Sequence, residues 1–386
     1  MTPLQYYLQG RRRLVLILPI VGLALLLAAG LYQGSIPQPP LPKVVFGDSP
    51  ENERYDSGQP QANDLPSLIR ALWAPVVLPI TAPSFTTIDG LRKQLPRPNH
   101  PIHATPLGKR VCVLDVDNRG FDDEGGIFSN QLPVWDRVNG STAGFLSHYL
   151  FAAIHGYTYK FVRAPKYADR APHWAKVVFV KEMLKRYDIV LMMDGDAVFT
   201  TPQVPLEWLL NYWQIGPETL VAMPEDPALD PNWDIRHRAN VNSGFIIAQA
   251  SDLTQRLFED WAECPSEKRY PGCAEWKTKP FHEQSAFSSF VRYDFLDGYS
   301  IDTHPQYIRH IPCSDANGYP EVAHYGCLGH FVRHFWQDKN LTVPEFTHNV
   351  MGALAPILAH SAYRQGGHVE DYRDMVLDGA ELLGGP

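Results

Sequence analysis

The sequence has no excess of positive charge, few cysteines and no internal repeat. Its 386 residues include 34 Lys and Arg against 42 Asp and Glu, for a formal net charge of −8. A basic surface of the kind that binds nucleic acid is therefore not indicated, and we expect no nucleic-acid partner. No segment recurs along the chain, so an architecture built from repeats is excluded. The hydrophobic content of 45% is enough for one large core or two smaller ones.

The five cysteines are few, but four of them lie in pairs along the chain. Cys264 and Cys273 bracket one short loop, and Cys313 and Cys327 bracket another. We predict a disulfide within each pair, which is typical of an oxidising compartment. Cys112 lies in an apolar, strand-like run and is predicted to be a buried free thiol.

The amino-terminal segment predicts a membrane anchor. Residues 1–13 end in three consecutive arginines, and residues 14–32 carry no charge. At about 1.5 Å per helical residue, the uncharged run is just long enough to cross a hydrocarbon core of about 30 Å. The arginines would keep the amino end in the cytoplasm and place the remaining chain in a lumen. The alternative is a cleaved signal peptide, with residues 28–30 as its cleavage site.

The rest of the chain divides by composition. Prolines recur through residues 33–106, so we expect an extended, poorly folded stem, with an apolar patch at 68–80 that docks on the following domain. N-glycosylation sequons at 139–141 and 340–342 agree with a lumenal location. The expected organisation is a cytoplasmic tail (1–13), an anchor (14–32), a stem (33–106), a folded domain (107–360) and a loose tail (361–386).

The strongest candidate site lies within residues 187–200. Its apolar run, 189–193, predicts a buried parallel strand, and Asp194, Gly195 and Asp196 follow directly. Open α/β sheets bind ligands at the carboxyl ends of their strands, and two carboxylates this close repel unless a cation lies between them. Oxygen ligands favour Mg²⁺ or Mn²⁺, and Gly195 would let a ligand approach closely. The alternative is a solvated turn, since Asp and Gly are common there.

Strand and helix patterns alternate from residue 110 onward. The predicted elements are a strand at 110–117, a helix at 141–155, a strand at 157–162, a helix at 174–187 and a strand at 189–193. This alternation predicts a parallel α/β sheet with helices on its faces. Further strands are predicted at 220–223 and 244–248, and a further helix at 253–263.

The first predicted strand also ends in paired acids, Asp115 and Asp117. A phosphatase or phosphotransferase of the haloacid-dehalogenase type, which carries Asp-x-Asp after a hydrophobic strand, is therefore an alternative function. Asn118 and Arg119 follow here, in place of the Thr or Val expected for that class.

Six short motifs follow one another between residues 110 and 339. They are HGY (155–157), WAK (174–176), DGDA (194–197), NSGF (242–245), EQSA (283–286) and GHFVRHF (329–335). In this order, behind an anchor and a stem, they resemble the glycosyltransferases of family 34, which include fungal galactosyl- and mannosyltransferases and plant xylosyltransferases. The resemblance implies a GT-A catalytic domain over 107–360, with a Rossmann-like mixed sheet flanked by helices.

The resemblance also implies a metal site. Asp194 and Asp196 would bind a divalent cation, Mn²⁺ or Mg²⁺, and His334 would supply a third ligand. The cation would act as a Lewis acid on the diphosphate of a nucleotide-sugar donor. Taken alone, His334 would more often be a buried core histidine.

The donor site implied by the resemblance extends beyond the metal. Together with the Asp194-Gly195-Asp196 turn it includes Lys176 near the nucleotide, Asn242 at the sugar and Lys339 at the diphosphate. The expected donor is UDP-galactose or GDP-mannose, and the expected acceptor is a glycan in the Golgi. The oligomeric state is left open.

Transfer with retention of anomeric configuration is also implied, and this needs a group that stabilises an oxocarbenium-like state. Glu283 and Gln284 stand where the family places that group, and the sequence leaves the choice between them open. Their alternative role is to cap a helix that begins near Gln284. A non-catalytic, lectin-like lumenal protein remains an alternative to the enzyme.

Overall fold

A computed structural model describes residues 64–131, 133–295 and 307–365. The predicted cytoplasmic tail, the predicted anchor, the first part of the stem and most of the carboxyl-terminal tail lie outside these ranges. Within them, no helix combines the length and the apolar character that crossing a membrane requires.

The described strands and helices alternate along most of the chain. The strands are β1 (Ser84–Thr86), β2 (Arg92–Gln94), β3 (Val111–Asp117), β4 (Thr158–Arg163), β5 (Ile189–Met193), β6 (Ala197–Phe199), β7 (Val221–Pro224), β8 (Phe245–Gln249), β9 (Ile308–Ile311) and β10 (Val332–His334). The α-helices are α1 (Leu65–Trp73), α2 (Gly140–His155), α3 (Trp174–Met183), α4 (Leu206–Tyr212), α5 (Asp252–Glu263), α6 (His282–Ser289), α7 (Cys313–Ala316) and α8 (Thr342–His360).

A six-stranded sheet in the order β4-β3-β5-β8-β7-β9 forms the centre of the fold. Strands β4, β3 and β5 are parallel, as the alternation predicts, whereas β8 runs antiparallel to both β5 and β7. The sheet is therefore mixed, as the resemblance implies, whereas the parallel sheet predicted from the alternation alone fails at β8. The reversal matters for the site, because β8 begins at the edge of the sheet where β5 and β7 end.

Alternating side chains of the central strands pack into two separate cores. On β5, Val190 and Met192 face a core that includes Trp174 of α3 and Phe258 of α5. Residues Ile189–Met193 are all buried, since the other side chains of β5 face a second core with Phe151 of α2. The fold thus has three layers, with helices on both faces of the sheet, as expected for α/β proteins.

Most predicted element boundaries agree with the structure to within a few residues. The predicted strand at 189–193 coincides with β5, and the predicted helix at 141–155 begins one residue earlier, at Gly140. Gly156 ends that helix in the left-handed conformation, with φ of 72°. Helix α3 ends at Met183, earlier than the predicted 187, and hydrogen-bonded turns lead into β5.

The second half of the predicted stem is folded, which corrects the expectation of an extended chain up to residue 106. Residues 65–73 form α1, whose proline lies in the first turn, where its missing N–H costs no helical hydrogen bond. The apolar patch docks as predicted, because Trp73 is 2% exposed and packs with Ile154 of α2 and Ala353 of α8. Strands β1 and β2 then form an antiparallel hairpin.

Both predicted disulfides are present. Cys264 is bonded to Cys273, and Cys313 is bonded to Cys327. Cys112 is a free, fully buried thiol on β3, also as predicted, and burial raises its pKa to about 12.

The folded state of residues 64–106 can be tested at α1. We expect Trp73→Ala to lower the free energy of unfolding by about 3–5 kcal/mol, since it leaves a cavity between α1, α2 and α8. Leu72→Ala is the matched control, because Leu72 is 46% exposed and its loss should cost at most about 0.5 kcal/mol. Urea denaturation would measure both. Equal, small effects would mean that this segment is a spacer after all.

Candidate active site

The Asp194-Gly195-Asp196 turn connects β5 to β6 at the carboxyl edge of the sheet. The amide N–H of Asp194 donates to the carbonyl of Gly244 at 2.8 Å, which continues the β5–β8 ladder into the turn. Asp196 is 5% exposed, and Asp194 is partly buried. The two carboxylates therefore occupy the place that the sequence pattern predicts.

Gly195 has a different role from the predicted one. A Cβ atom on Gly195 would lie 2.7 Å from the ring of Phe145 in α2, and one on Gly144 would lie 2.1 Å from the carbonyl oxygen of Gly195. Both glycines are thus required by the close approach of α2 to the turn. Gly195 does not line the cavity described below, so we assign it to packing.

His334 reaches the turn through a second, smaller sheet. Strand β10 pairs antiparallel with β6, so that His334 lies opposite Ala197. Its Nε2 atom is 3.3 Å from Oδ1 of Asp196. The ring occupies the space above Gly244, where a Cβ atom would be 2.2 Å from Cε1 of His334. A glycine at 244 is therefore a condition for this position of the imidazole.

Asp194, Asp196 and His334 form an Asp-Asp-His cluster that can hold a cation. One ligand atom from each residue lies within 4.8 Å of the others. Two carboxylate oxygens and an imidazole nitrogen form a donor set that suits Mn²⁺ and, with more water ligands, Mg²⁺. The residues present therefore fit the divalent cation that the sequence implies.

Two lysines offset the charge of the two aspartates. Lys339, with 57% of its side chain exposed, places Nζ 2.9 Å from Oδ2 of Asp196. Lys176 is buried on α3, and its Nζ lies 2.8 Å from Asp194 and 3.3 Å from Glu283. Lys176 also donates to the carbonyl of Ser243 at 3.4 Å, so its ammonium group joins three parts of the site.

The ionisation states follow from this balance. Burial acts to raise the pKa of Asp194 and of Asp196, but neighbouring cationic groups outweigh burial and lower both pKa values. Lys176 and His334 lower the pKa of Asp194, and His334 and Lys339 lower the pKa of Asp196. Burial acts to lower the pKa of His334, but Asp196 and Asp194 outweigh burial and raise it. The two carboxylates thus stabilise the protonated form of His334 relative to a free imidazole.

The cluster opens into a cavity of about 610 Å³. The predicted site residues that line it are Lys176, Asp194, Asp196, Asn242, Glu283, Gln284, His334 and Lys339. The structure therefore brings together all of the predicted site residues except Gly195. They come from the ends of β5 and β10, the segment before β8, helices α3 and α6, and, for Lys339, the turn that precedes α8.

Glu283 and Gln284, in the first turn of α6, are both buried but differ in their partners. Oε1 of Glu283 accepts from the hydroxyl of Ser243 at 2.7 Å, and Oε2 has no hydrogen-bond partner. The amide of Gln284 is engaged at both ends, because it accepts from the N–H of Ser243 at 3.1 Å and donates to Asp226 at 2.5 Å.

Asp226 is a candidate site residue that the sequence analysis missed. Its carboxylate accepts from the side-chain amides of Asn242 at 2.9 Å, Asn317 at 3.1 Å and Gln284. It lines the cavity, and burial raises its pKa. The sequence did contain one indication of this role, because Asp226 follows the predicted strand at 220–223. That strand is β7, which is parallel to β5 and therefore ends at the same edge of the sheet.

The paired acids of the first strand do not reach the cavity. Asp115 is fully buried, with Nδ1 of His148 at 2.7 Å and the hydroxyl of Tyr159 at 2.6 Å. Asp117 accepts from Arg119 next to it. A nucleophile at Asp115 would have no access to a substrate, which argues against the phosphatase alternative.

A mixed α/β sheet with an Asp-x-Asp turn and a histidine at its carboxyl edge, beside a cavity, agrees with the nucleotide-sugar glycosyltransferase that the sequence motifs resemble. The family model for nucleotide-diphospho-sugar transferases matches residues 138–338, just over half of the chain, and the protein belongs to this family. Comparison with curated proteins gives no match.

Solved glycosyltransferases show a more distant similarity. A glycosyltransferase involved in glycosylation of the major capsid of PBCV-1 has a TM-score of 0.42 and 11% identity, over 61% of this chain and 98% of that one. The galactosyltransferase LgtC, in complex with donor and acceptor sugar analogues, has a TM-score of 0.35 and 10% identity, over 63% and 95%. Mouse xyloside xylosyltransferase 1 has a TM-score of 0.31 and 9% identity, over 58% and 96%. The family assignment rests on the sequence match alone.

The raised pKa of His334 predicts a pH-dependent metal affinity. A cation binds only the neutral imidazole, so metal and proton compete. The affinity for Mn²⁺ should fall by about tenfold per pH unit below the pKa of His334 and level off above it, since Asp194 and Asp196 stay ionised there. Isothermal titration of the protein with MnCl₂ in a pH series measures this.

His334→Asn should bind Mn²⁺ more weakly, and its affinity should no longer fall with pH in this way. His348→Asn, on the exposed side of α8, should keep the wild-type affinity and its pH dependence. A wild-type affinity independent of pH would exclude His334 as a ligand.

Proposed function

We propose that the protein is a Mn²⁺- or Mg²⁺-dependent hexosyltransferase that transfers galactose from UDP-galactose, or mannose from GDP-mannose, to a glycan with retention of configuration. The observation that carries this proposal is the Asp-Asp-His cluster, open to a cavity that also holds Asp226, Glu283 and Gln284. A bound cation would neutralise the donor diphosphate as a Lewis acid.

The chain's own residues supply the remaining charge. Three carboxylates, those of Asp194, Asp196 and Glu283, stand against two ammonium groups, those of Lys176 and Lys339. With a neutral His334, these five groups carry one net negative charge, and an ionised Asp226 in the same cavity would add a second, so the site attracts a cation. Lys339 is the more exposed lysine, and its ammonium group is free to turn from Asp196 towards a diphosphate and stabilise the leaving nucleotide.

Glu283 is the better candidate for stabilising positive charge at the anomeric carbon. Its Oε2 atom is buried and has no hydrogen-bond partner among the described residues, whereas both ends of the Gln284 amide are engaged. Lys176 and Ser243 hold the other oxygen of Glu283. Gln284 would then act as a positioning residue, which orients Asp226 towards the transferred sugar.

An acceptor glycan would meet aromatic side chains at the cavity. Phe281 and Tyr325 line it and are 39% and 40% exposed. Phe281 and His282 both have positive φ, 71° and 39°, a strained backbone conformation for residues other than glycine that often marks a functional site. We assign Phe281 to stacking on an acceptor sugar.

We place the enzyme in the Golgi membrane, with the catalytic domain in the lumen and residues 14–32 as its anchor. The two disulfides support an oxidising compartment. Asn139 and Asn340 of the two sequons are exposed, as glycosylation requires.

Donor hydrolysis tests the enzyme against a lectin-like protein. The wild type should slowly hydrolyse UDP-galactose or GDP-mannose with Mn²⁺, and Asp194→Asn or Asp196→Asn should lower this rate by about 10²–10³-fold, the scale of losing one charge-stabilising group. Asp188→Asn is the matched control, because Asp188 precedes the opposite end of β5 and is exposed.

Absence of hydrolysis of any nucleotide sugar by the wild type would favour a lectin, and unchanged rates in both site variants would refute this metal site.

The acceptor role of Phe281 has its own test. Phe281→Gly removes the ring and also relieves the strain of positive φ, so the fold should be kept. We expect the KM for the acceptor to rise by about tenfold, the equivalent of one stacking contact of about 1.4 kcal/mol, with donor hydrolysis unchanged. Phe281→Tyr should behave as the wild type. An unchanged acceptor KM in Phe281→Gly would remove this residue from the acceptor site.

A further inference from the structure

A largely buried ionic network surrounds Arg333, the residue before the candidate metal ligand His334. Arg333, with 7% of its side chain exposed, donates to Oδ1 of Asp89 at 2.7 Å and to Oε2 of Glu345 at 2.8 Å. The other oxygen of Asp89 is 2.9 Å from Nδ1 of His330. The carboxylate of Asp89 thus bridges His330, which precedes β10, and Arg333, which lies within β10.

Asp89 comes from the predicted stem. It lies in the turn of the β1–β2 hairpin, where the N–H of Gly90 donates to the carbonyl of Thr87 at 2.9 Å. The hairpin forms its own two-stranded sheet and does not join the central one. A second ion pair, between Lys93 and Asp315 at 2.7 Å, also connects it to the catalytic domain.

The geometry of β10 links this network to the metal site. Neighbouring side chains of a strand point to opposite faces, so Arg333 contacts Asp89 and Glu345 while His334 contacts Asp196. Strand β10 has three residues and pairs only with the equally short β6 among the described strands. A slip of one residue would exchange the two faces and turn His334 away from Asp196.

We propose that Asp89 is a positioning residue for the metal site. By bridging Arg333 and His330 it holds β10 in the register that presents His334 to Asp196. Asp89, which lies in a segment that the sequence assigns to a stem, thereby supports the residue that would bind the cation. This inference rests on the metal site of the proposed function.

Binding of Mn²⁺ alone, without donor or acceptor, tests the role of Asp89 in the full chain. We expect Asp89→Asn to weaken Mn²⁺ binding by about 10–100-fold, the usual effect of losing a residue that orients a ligand, while the acceptor KM is unchanged. Asp89→Glu should restore part of the affinity. Near-UV circular dichroism would verify that each variant is folded, and Glu345→Gln offers the same test from α8 if Asp89→Asn does not fold.

Lys93→Met is the matched control, since it removes another ion pair of the same hairpin without touching β10. Its Mn²⁺ affinity should equal that of the wild type. Because Asp89 acts through Arg333 and His330, the double variant Asp89→Asn/Arg333→Met should lose less Mn²⁺ affinity than the two single losses added together.

The outcomes separate this inference from the proposed function. A wild type that binds no Mn²⁺ would overturn the metal site and the positioning role together. Normal Mn²⁺ binding by Asp89→Asn, or an equal loss in Lys93→Met, would overturn the positioning role and leave the metal site intact.

Discussion

Repulsion between two carboxylates at one turn is the constraint on which the site depends. Asp194 and Asp196 are held one residue apart at the end of a buried strand, where water cannot screen them well. The ammonium groups of Lys176 and Lys339 offset this repulsion, and the two carboxylates in turn raise the pKa of His334. Lys339 is exposed and His334 can lose a proton, so both can give way to a cation, whereas Lys176 is buried between Asp194 and Glu283.

The mixed sheet is what brings the other polar groups to this turn. Because β8 runs against β5 and β7, its first residues meet the last residues of both neighbours at one edge. Asn242 and Asp226 thereby come into hydrogen-bond contact, and α6 adds Glu283 and Gln284 to the same cavity. A wholly parallel sheet would have placed the start of β8 at the opposite edge.

The catalytic domain is completed from both ends of the described chain. Helix α1 packs through Trp73 on α2 and α8. The β1–β2 hairpin contacts Arg333 of β10 through Asp89 and Asp315 of α7 through Lys93. Proline content alone led to the expectation of an extended stem. It was wrong over residues 64–106, because the prolines lie in a first helical turn or outside the helix and the strands, while apolar and charged residues between them find partners in the domain.

The sequence by itself determined the features that depend on contiguous residues. Periodicity located α2, an unbroken apolar run located β5, the spacing of cysteines predicted both disulfides, and the acids after β5 marked the turn. These patterns are local, since a strand or helix buries residues at a fixed interval along the chain.

Only the tertiary structure decided how distant segments meet. The network of Asp226, the packing role of Gly195 and the bridge from Asp89 to Arg333 have no local periodic signature. Each depends on which loops approach one another once two cores have packed on the faces of the sheet. Hydrogen bonds and close contacts of this kind are set by geometry in space, to within a fraction of an ångström, and not by spacing along the chain.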